Sequence, residues 1–163
     1  RVAERSEFTS FDPGQDVFWY TREQLETILA NTDILFANQH EVLQMSSTLG
    51  VTKEAIISQV GTAIFTMSGD GSTLYTRGSG HTIPALPVTL ADPTGAGDAY
   101  RAGFLSAYVR GYNLLTCCKI GTVTASIVVE HVGCQTHLAD WNSMQLRYEK
   151  HFGPLEIPPL RND

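Results

Sequence analysis

Short, almost wholly apolar runs alternate along this chain with stretches whose apolar residues recur every three or four positions. Thr9-Ser10-Phe11 runs into Asp12-Pro13-Gly14, a short strand entering a turn in which Asp12 fits an Asx-type role. Thr21 to Ala30 predicts a helix. Leu25, Ile28 and Leu29 share one face, and Thr21 with Gln24 fits a capping box. Asp33 to Ala37 has the pattern of a buried strand. Val42 to Leu49 predicts a helix stopped at Gly50, Thr52 to Val60 a shorter one, and Ala63 to Met67 the next buried strand. Helix followed by strand, repeated, predicts an α/β sheet with parallel strands. Asp70-Gly71 is a hairpin signal ahead of Ser72 to Thr76. His81 to Pro84 and Pro87 to Leu90 read as edge strands broken by prolines. Ala99 to Arg110, Leu114 to His131 and Trp141 to Phe152 read as helices, and the tail from Gly153 as an extended strap.

Composition narrows this picture. The 163 residues are enough for one domain with a core, and 42% hydrophobic content argues against disorder. A net charge of −6 argues against a broad electrostatic grip on nucleic acid. No apolar run approaches the length of a membrane span. Three cysteines, Cys117 and Cys118 adjacent, make neither a disulfide framework nor a zinc site, which predicts a reducing, cytoplasmic setting. The charged stretch Arg1 to Glu7 has no signal-peptide character.

The chemistry concentrates in Asp92-Pro93-Thr94-Gly95-Ala96-Gly97-Asp98-Ala99-Tyr100-Arg101-Ala102-Gly103-Phe104. Pro93 fixes the approach, and Gly95 and Gly97 allow a tight turn that opens directly into a helix. The first amides of a helix lack intrahelical partners and, with its dipole, favour an anion ahead of them. Asp98 stands in that first turn, a carboxylate placed to accept a proton. An anion cradle beside a fixed base suits phosphoryl transfer to a hydroxyl. The bland alternative is a glycine-rich helix cap.

Three other places carry candidate chemistry. Asn38 and Glu41 follow the buried strand, where open α/β sheets bind ligands, and the same pair fits a helix capping box. Thr66 to Gly71 reads as a plain hairpin turn or a glycine loop, with both compatible. Asp92 fits a simple turn residue.

The glycine run resembles the C-terminal signature of the ribokinase-like (PfkB) family of sugar and nucleoside kinases, most closely its bacterial adenosine-kinase-like branch. The resemblance spans essentially the whole chain and implies a three-layer α/β/α sandwich with a mostly parallel sheet. It maps residues 1–163 onto the C-terminal, nucleotide-binding and catalytic part of the family's domain. The N-terminal half and its lid, through which such kinases dimerise, are then absent. It implies ATP-dependent transfer of the γ-phosphoryl to a hydroxymethyl group of a nucleoside or sugar. Asp98 would be the base, and the amides of Gly95, Ala96 and Gly97 would stabilise the phosphoryl charge. Asn38 would lie near the phosphates, and Glu41 would position magnesium through its waters. Thr66, Ser68, Gly69 and Gly71 match the ATP-contacting Thr-x-Gly-x-x-Gly loop, with Ser68 replacing its first glycine. Asp92, Thr94 and Gly133 match positions that hold a monovalent cation, potassium for instance, while His137 stands where the family often has Ser. Two rivals stay open: a sugar kinase of the ribokinase or fructokinase type, and a non-catalytic nucleotide-binding fragment.

Overall fold

The computed structural model describes residues 7–77, 79–137 and 139–158. They form two compact units. One holds the residues through Met67 together with Thr73–Thr82, and the other holds Ser68–Ser72 together with those from Ile83 onward.

The first unit is built on a five-stranded sheet in the order β1 (Ser10–Phe11), β2 (Ile34–Asn38), β3 (Thr62–Thr66), β4 (Ser72–Thr76) and β5 (Ser79–Ile83). β1, β2 and β3 are parallel, with Ser10 opposite Ile34 and Ile34 opposite Thr62. The links from β3 to β4 and from β4 to β5 are too short for the crossover a parallel pair needs, which makes the sheet mixed. Helices α1 (Arg22–Ala30), α2 (Gln39–Leu49) and α3 (Lys53–Gln59) lie between the parallel strands in sequence. Leu25 and Leu29 of α1 and Val42, Met45 and Leu49 of α2 share one core with Leu35, Ala37, Ala63 and Phe65 of the sheet. Burying each leucine of this size contributes about 2 kcal/mol. Ile34, Phe36 and Ile64, which alternate onto the opposite face, are buried as well, as parallel strands require. The expected starts hold. Thr21 and Gln24 form a full capping box, Thr52 caps α3, and Gly50 ends α2 with φ +65°. Asp12 accepts the Gly14 N–H at 2.8 Å, the Asx turn its sequence suggests.

The second unit is organised by α4 (Ala96–Val109), α5 (Leu114–Val128) and α6 (Trp141–Phe152). α4 and α5 cross closely because both are small where they meet. A Cβ on Gly103 would lie 2.8 Å from Thr124 Cβ, and one on Gly121 2.8 Å from the Tyr100 carbonyl oxygen. α6 docks on α5 through Arg147, which donates to Ser126 at 3.2 Å and to Glu130 at 2.8 Å. Cys117 and Cys118 are fully buried in this core, and burial pushes both thiols up to about 12.

Three expectations need correction. Pro87 to Leu90 is not a strand; Pro84 and Pro87 lack the N–H a ladder needs, and β5 ends at Ile83. α5 stops at Val128 instead of His131, closed by the His131 N–H on the Val128 carbonyl. α4 starts three residues before Ala99, with a consequence for the site.

Candidate active site

Because α4 begins at Ala96, Asp98 is its third residue and Gly95 its N-cap. Gly95 has φ +81°, and a Cβ there would lie 2.5 Å from Cys134 Cβ, so this position is closed to other residues on two counts. The Ala96 N–H is turned back to the Pro93 carbonyl at 3.2 Å, and the Ala99 N–H makes the first helical bond, to Gly95. Among the described residues, the N–H groups of Gly95, Gly97 and Asp98 have no protein acceptor. The open donors at the helix mouth are therefore those three, while the Ala96 amide is engaged within the turn. Nothing crowds Gly97, whose nearest neighbour to a built Cβ is Arg101 Nη1 at 3.9 Å. The Asp98 side chain is 78% exposed and paired with Arg101 one turn on, which is 29% exposed. It faces outward, with a cation beside it.

The same unit contains the turn at residues 68–71. Ser68 has φ +50°, the one non-glycine among the described residues in left-handed conformation. The position thus keeps a glycine's backbone although it carries a serine. A left-handed L-residue costs about 1 kcal/mol or somewhat more, so Ser68→Gly is expected to raise stability by about 1 kcal/mol in denaturant titration. The Gly71 N–H closes the turn on the Ser68 carbonyl at 3.1 Å, and Gly69 has nothing within 4 Å of a built Cβ.

Asp92 is a turn residue and more. One carboxylate oxygen accepts the Thr94 N–H and the other the Gly133 N–H, each at 2.9 Å. Thr94, through side chain and backbone, and then Gly133 hold this carboxyl below the usual aspartate range. The tie across 41 residues sets the Gly133 turn, whose neighbour Cys134 packs on Gly95. His137 stacks on His131 with centroids 3.8 Å apart.

In the first unit, Asn38 ends β2 and Thr66 ends β3, and the parallel register sets them directly opposite each other. Two motifs 28 residues apart in sequence therefore meet at the carboxyl edge of the sheet. Asn38 and Glu41 make the reciprocal capping box, with the Asn38 N–H to Glu41 at 2.7 Å and the Glu41 N–H to Asn38 at 2.9 Å. A carboxylate is a hard oxygen donor of the kind that hydrated magnesium takes. Among the described residues, no group of three or more His, Cys, Asp or Glu could hold a metal ion directly. No helix among them is long and apolar enough to cross a membrane.

Sequence reasoning missed the Asp98 amide, the packing of Cys134 on Gly95, and a buried Tyr100–Ser72 pair. The first follows from the true helix start. The other two join residues far apart in the chain and leave no local pattern.

Comparison with known proteins agrees with this picture. The family model described as pfkB family carbohydrate kinase matches residues 3–141. A nucleoside kinase of Methanocaldococcus jannaschii is 47% identical over 143 residues, covering 87% of this chain and 47% of that protein. A crystal structure described as the nucleoside kinase of that organism, an archaeal member of the ribokinase family, superposes with TM-score 0.87 at 44% identity, over 92% of this chain and 52% of its own. The Burkholderia thailandensis nucleoside kinase in complex with ADP-inosine gives TM-score 0.92 at 25% identity, covering 99% and 51%. The chain thus spans about half the length of the relatives it matches, and its fold is the ribokinase-like α/β fold its sequence suggested. A match that takes in both the glycine turn opening α4 and the Asn38–Glu41 cap leaves one assignment: the chain belongs to the pfkB family of carbohydrate kinases.

Proposed function

We propose that this chain supplies the nucleotide-binding and catalytic part of an ATP-dependent kinase that phosphorylates a hydroxymethyl group of a nucleoside, with a sugar as the alternative acceptor. The observation that carries this is the helix mouth of α4, where an exposed carboxylate, Asp98, adjoins three unpartnered main-chain amides. Asp98 takes the proton of the acceptor hydroxyl as the hydroxyl oxygen attacks the γ-phosphorus, whose bond to the β–γ bridging oxygen breaks and releases ADP. The Gly95, Gly97 and Asp98 amides receive the charge that spreads over the transferring phosphoryl oxygens. Thr66 and the turn at Ser68, Gly69 and Gly71 contact the nucleotide, and Asn38 lies near its phosphates. Glu41 would hold a bound magnesium through its waters, and that ion would supply positive charge to the phosphates. Asp92, Thr94 and Gly133 form the loop that a monovalent cation such as potassium would brace. The two buried thiols, kept protonated by burial, suit a reducing cytoplasm, and a homodimer of the full-length protein completes the reading.

The nucleoside is placed ahead of sugars because relatives 47% and 44% identical to this chain are described as nucleoside kinases. The test is phosphoryl transfer by the full-length protein, given ATP and magnesium with a panel of nucleosides, ribose and fructose. Higher kcat/KM on nucleosides is the expected outcome. Preference for ribose or fructose would move the assignment to a sugar kinase. ATP binding in titration calorimetry with no transfer to any acceptor would make this a binding module.

A further inference from the structure

Tyr100 lies two residues beyond Asp98 on α4, yet its side chain turns inward. Its hydroxyl shares a 2.9 Å hydrogen bond with Ser72 Oγ, 28 residues earlier in the chain. Both groups are sealed from water, with Ser72 0% and Tyr100 5% exposed. Space for the phenol is built into α5, because a Cβ on Gly121 would lie 3.2 Å from the ring. Burial first, and then the adjoining Cys118, push the phenol well above its ordinary pKa, so the hydroxyl keeps its proton and the bond persists at every ordinary pH.

Ser72 immediately follows the 68–71 turn. Gly71, just before it, has φ +94°, and a Cβ there would lie 2.6 Å from the Ala85 N. The base of the turn is therefore held twice, by backbone packed on Gly71 and by the phenol on Ser72. Its tip has room, since a Cβ built on Gly69 meets nothing within 4 Å, and Ser68 sits in a strained left-handed conformation.

We propose that Tyr100, through Ser72, is a positioning residue that sets the 68–71 turn at a fixed distance from the helix presenting Asp98, and so governs affinity for the nucleoside triphosphate. This rests on the kinase reading above. Tyr100 touches neither substrate; it acts through the turn. Losing one partner of a buried hydrogen bond also leaves the other unpaired, which adds to the cost.

The experiment is a double-mutant cycle of Tyr100→Phe and Ser72→Ala in the full-length protein. KM is measured separately for ATP and for the acceptor, and the ATP dissociation constant by calorimetry. Each single variant is expected to raise KM for ATP about three- to tenfold and leave that for the acceptor unchanged. The double variant, which removes both partners of the Tyr100–Ser72 bond, is expected to fold, as thermal denaturation checks. Its KM for ATP should be no higher than that of the worse single variant, the non-additivity of groups sharing one bond. Unchanged ATP affinity in both single variants, additive effects, or ATP and acceptor constants rising in step would each overturn the proposal. Absence of transfer by the wild-type protein would overturn the kinase reading itself, which the same assay records first.

Discussion

Asp98→Asn in the full-length protein is expected to lower kcat by about a hundred- to ten-thousandfold, the range for loss of a general base. Nucleotide affinity should change little, because the amides of Gly95, Gly97 and residue 98 itself are untouched by the substitution. Stability should change little as well. The side chain is 78% exposed, and its pairing with Arg101 is a surface ion pair of small net value. Steady-state kinetics with calorimetric ATP titration checks both halves. Near-normal turnover would remove Asp98 from the role of base. A parallel loss of ATP binding would point to Asp98 as a structural anchor of the helix mouth.

Gly71→Ala carries the largest expected cost in stability, about 3 kcal/mol, from two sources that add. A left-handed backbone disfavours any residue with a Cβ, and here the added methyl would overlap the main chain of residues 83–85. The obstacle is backbone, including the Ile83 carbonyl and the Ala85 nitrogen, so no side-chain rotation relieves it. Gly69→Ala is the matched control. It lies in the same turn with open space around its Cβ position, and should stay within about 0.5 kcal/mol of wild type. Chemical denaturation of the pair measures the contrast. Equal stabilities would mean that the 68–71 turn packs differently from the structure described.

Much of the local structure was readable because its causes are local. Thr21 and Gln24, three apart, suffice for a capping box, and Gly50 after an apolar-periodic run suffices to end a helix. The errors also have local causes. Gly95, Ala96 and Gly97 read as turn because glycine is a poor helix former, yet Ala96 and Gly97 are the first turn of α4. Pro87 to Leu90 has strand-forming residues without the hydrogen-bonding capacity to join a ladder. Asn38 with Glu41 illustrates a different relation. A capping box and the proposed phosphate and magnesium role ask for the same residue types at the same spacing, so spacing alone does not separate them.

Along this chain, sequence alone decided the order of helices and strands, the glycine turn feeding a helix with an acid at its mouth, and the family to which these belong. Each depends on residues within a few positions of one another, where spacing dictates geometry. Tertiary structure decided which amides at that mouth stay open, that Asp92 ties down Gly133, that Asn38 faces Thr66, and that Tyr100 reaches Ser72. Those facts join groups 28 or 41 residues apart, or turn on where a helix begins. Neither is set until the chain has closed on itself and each buried polar group has found its partner.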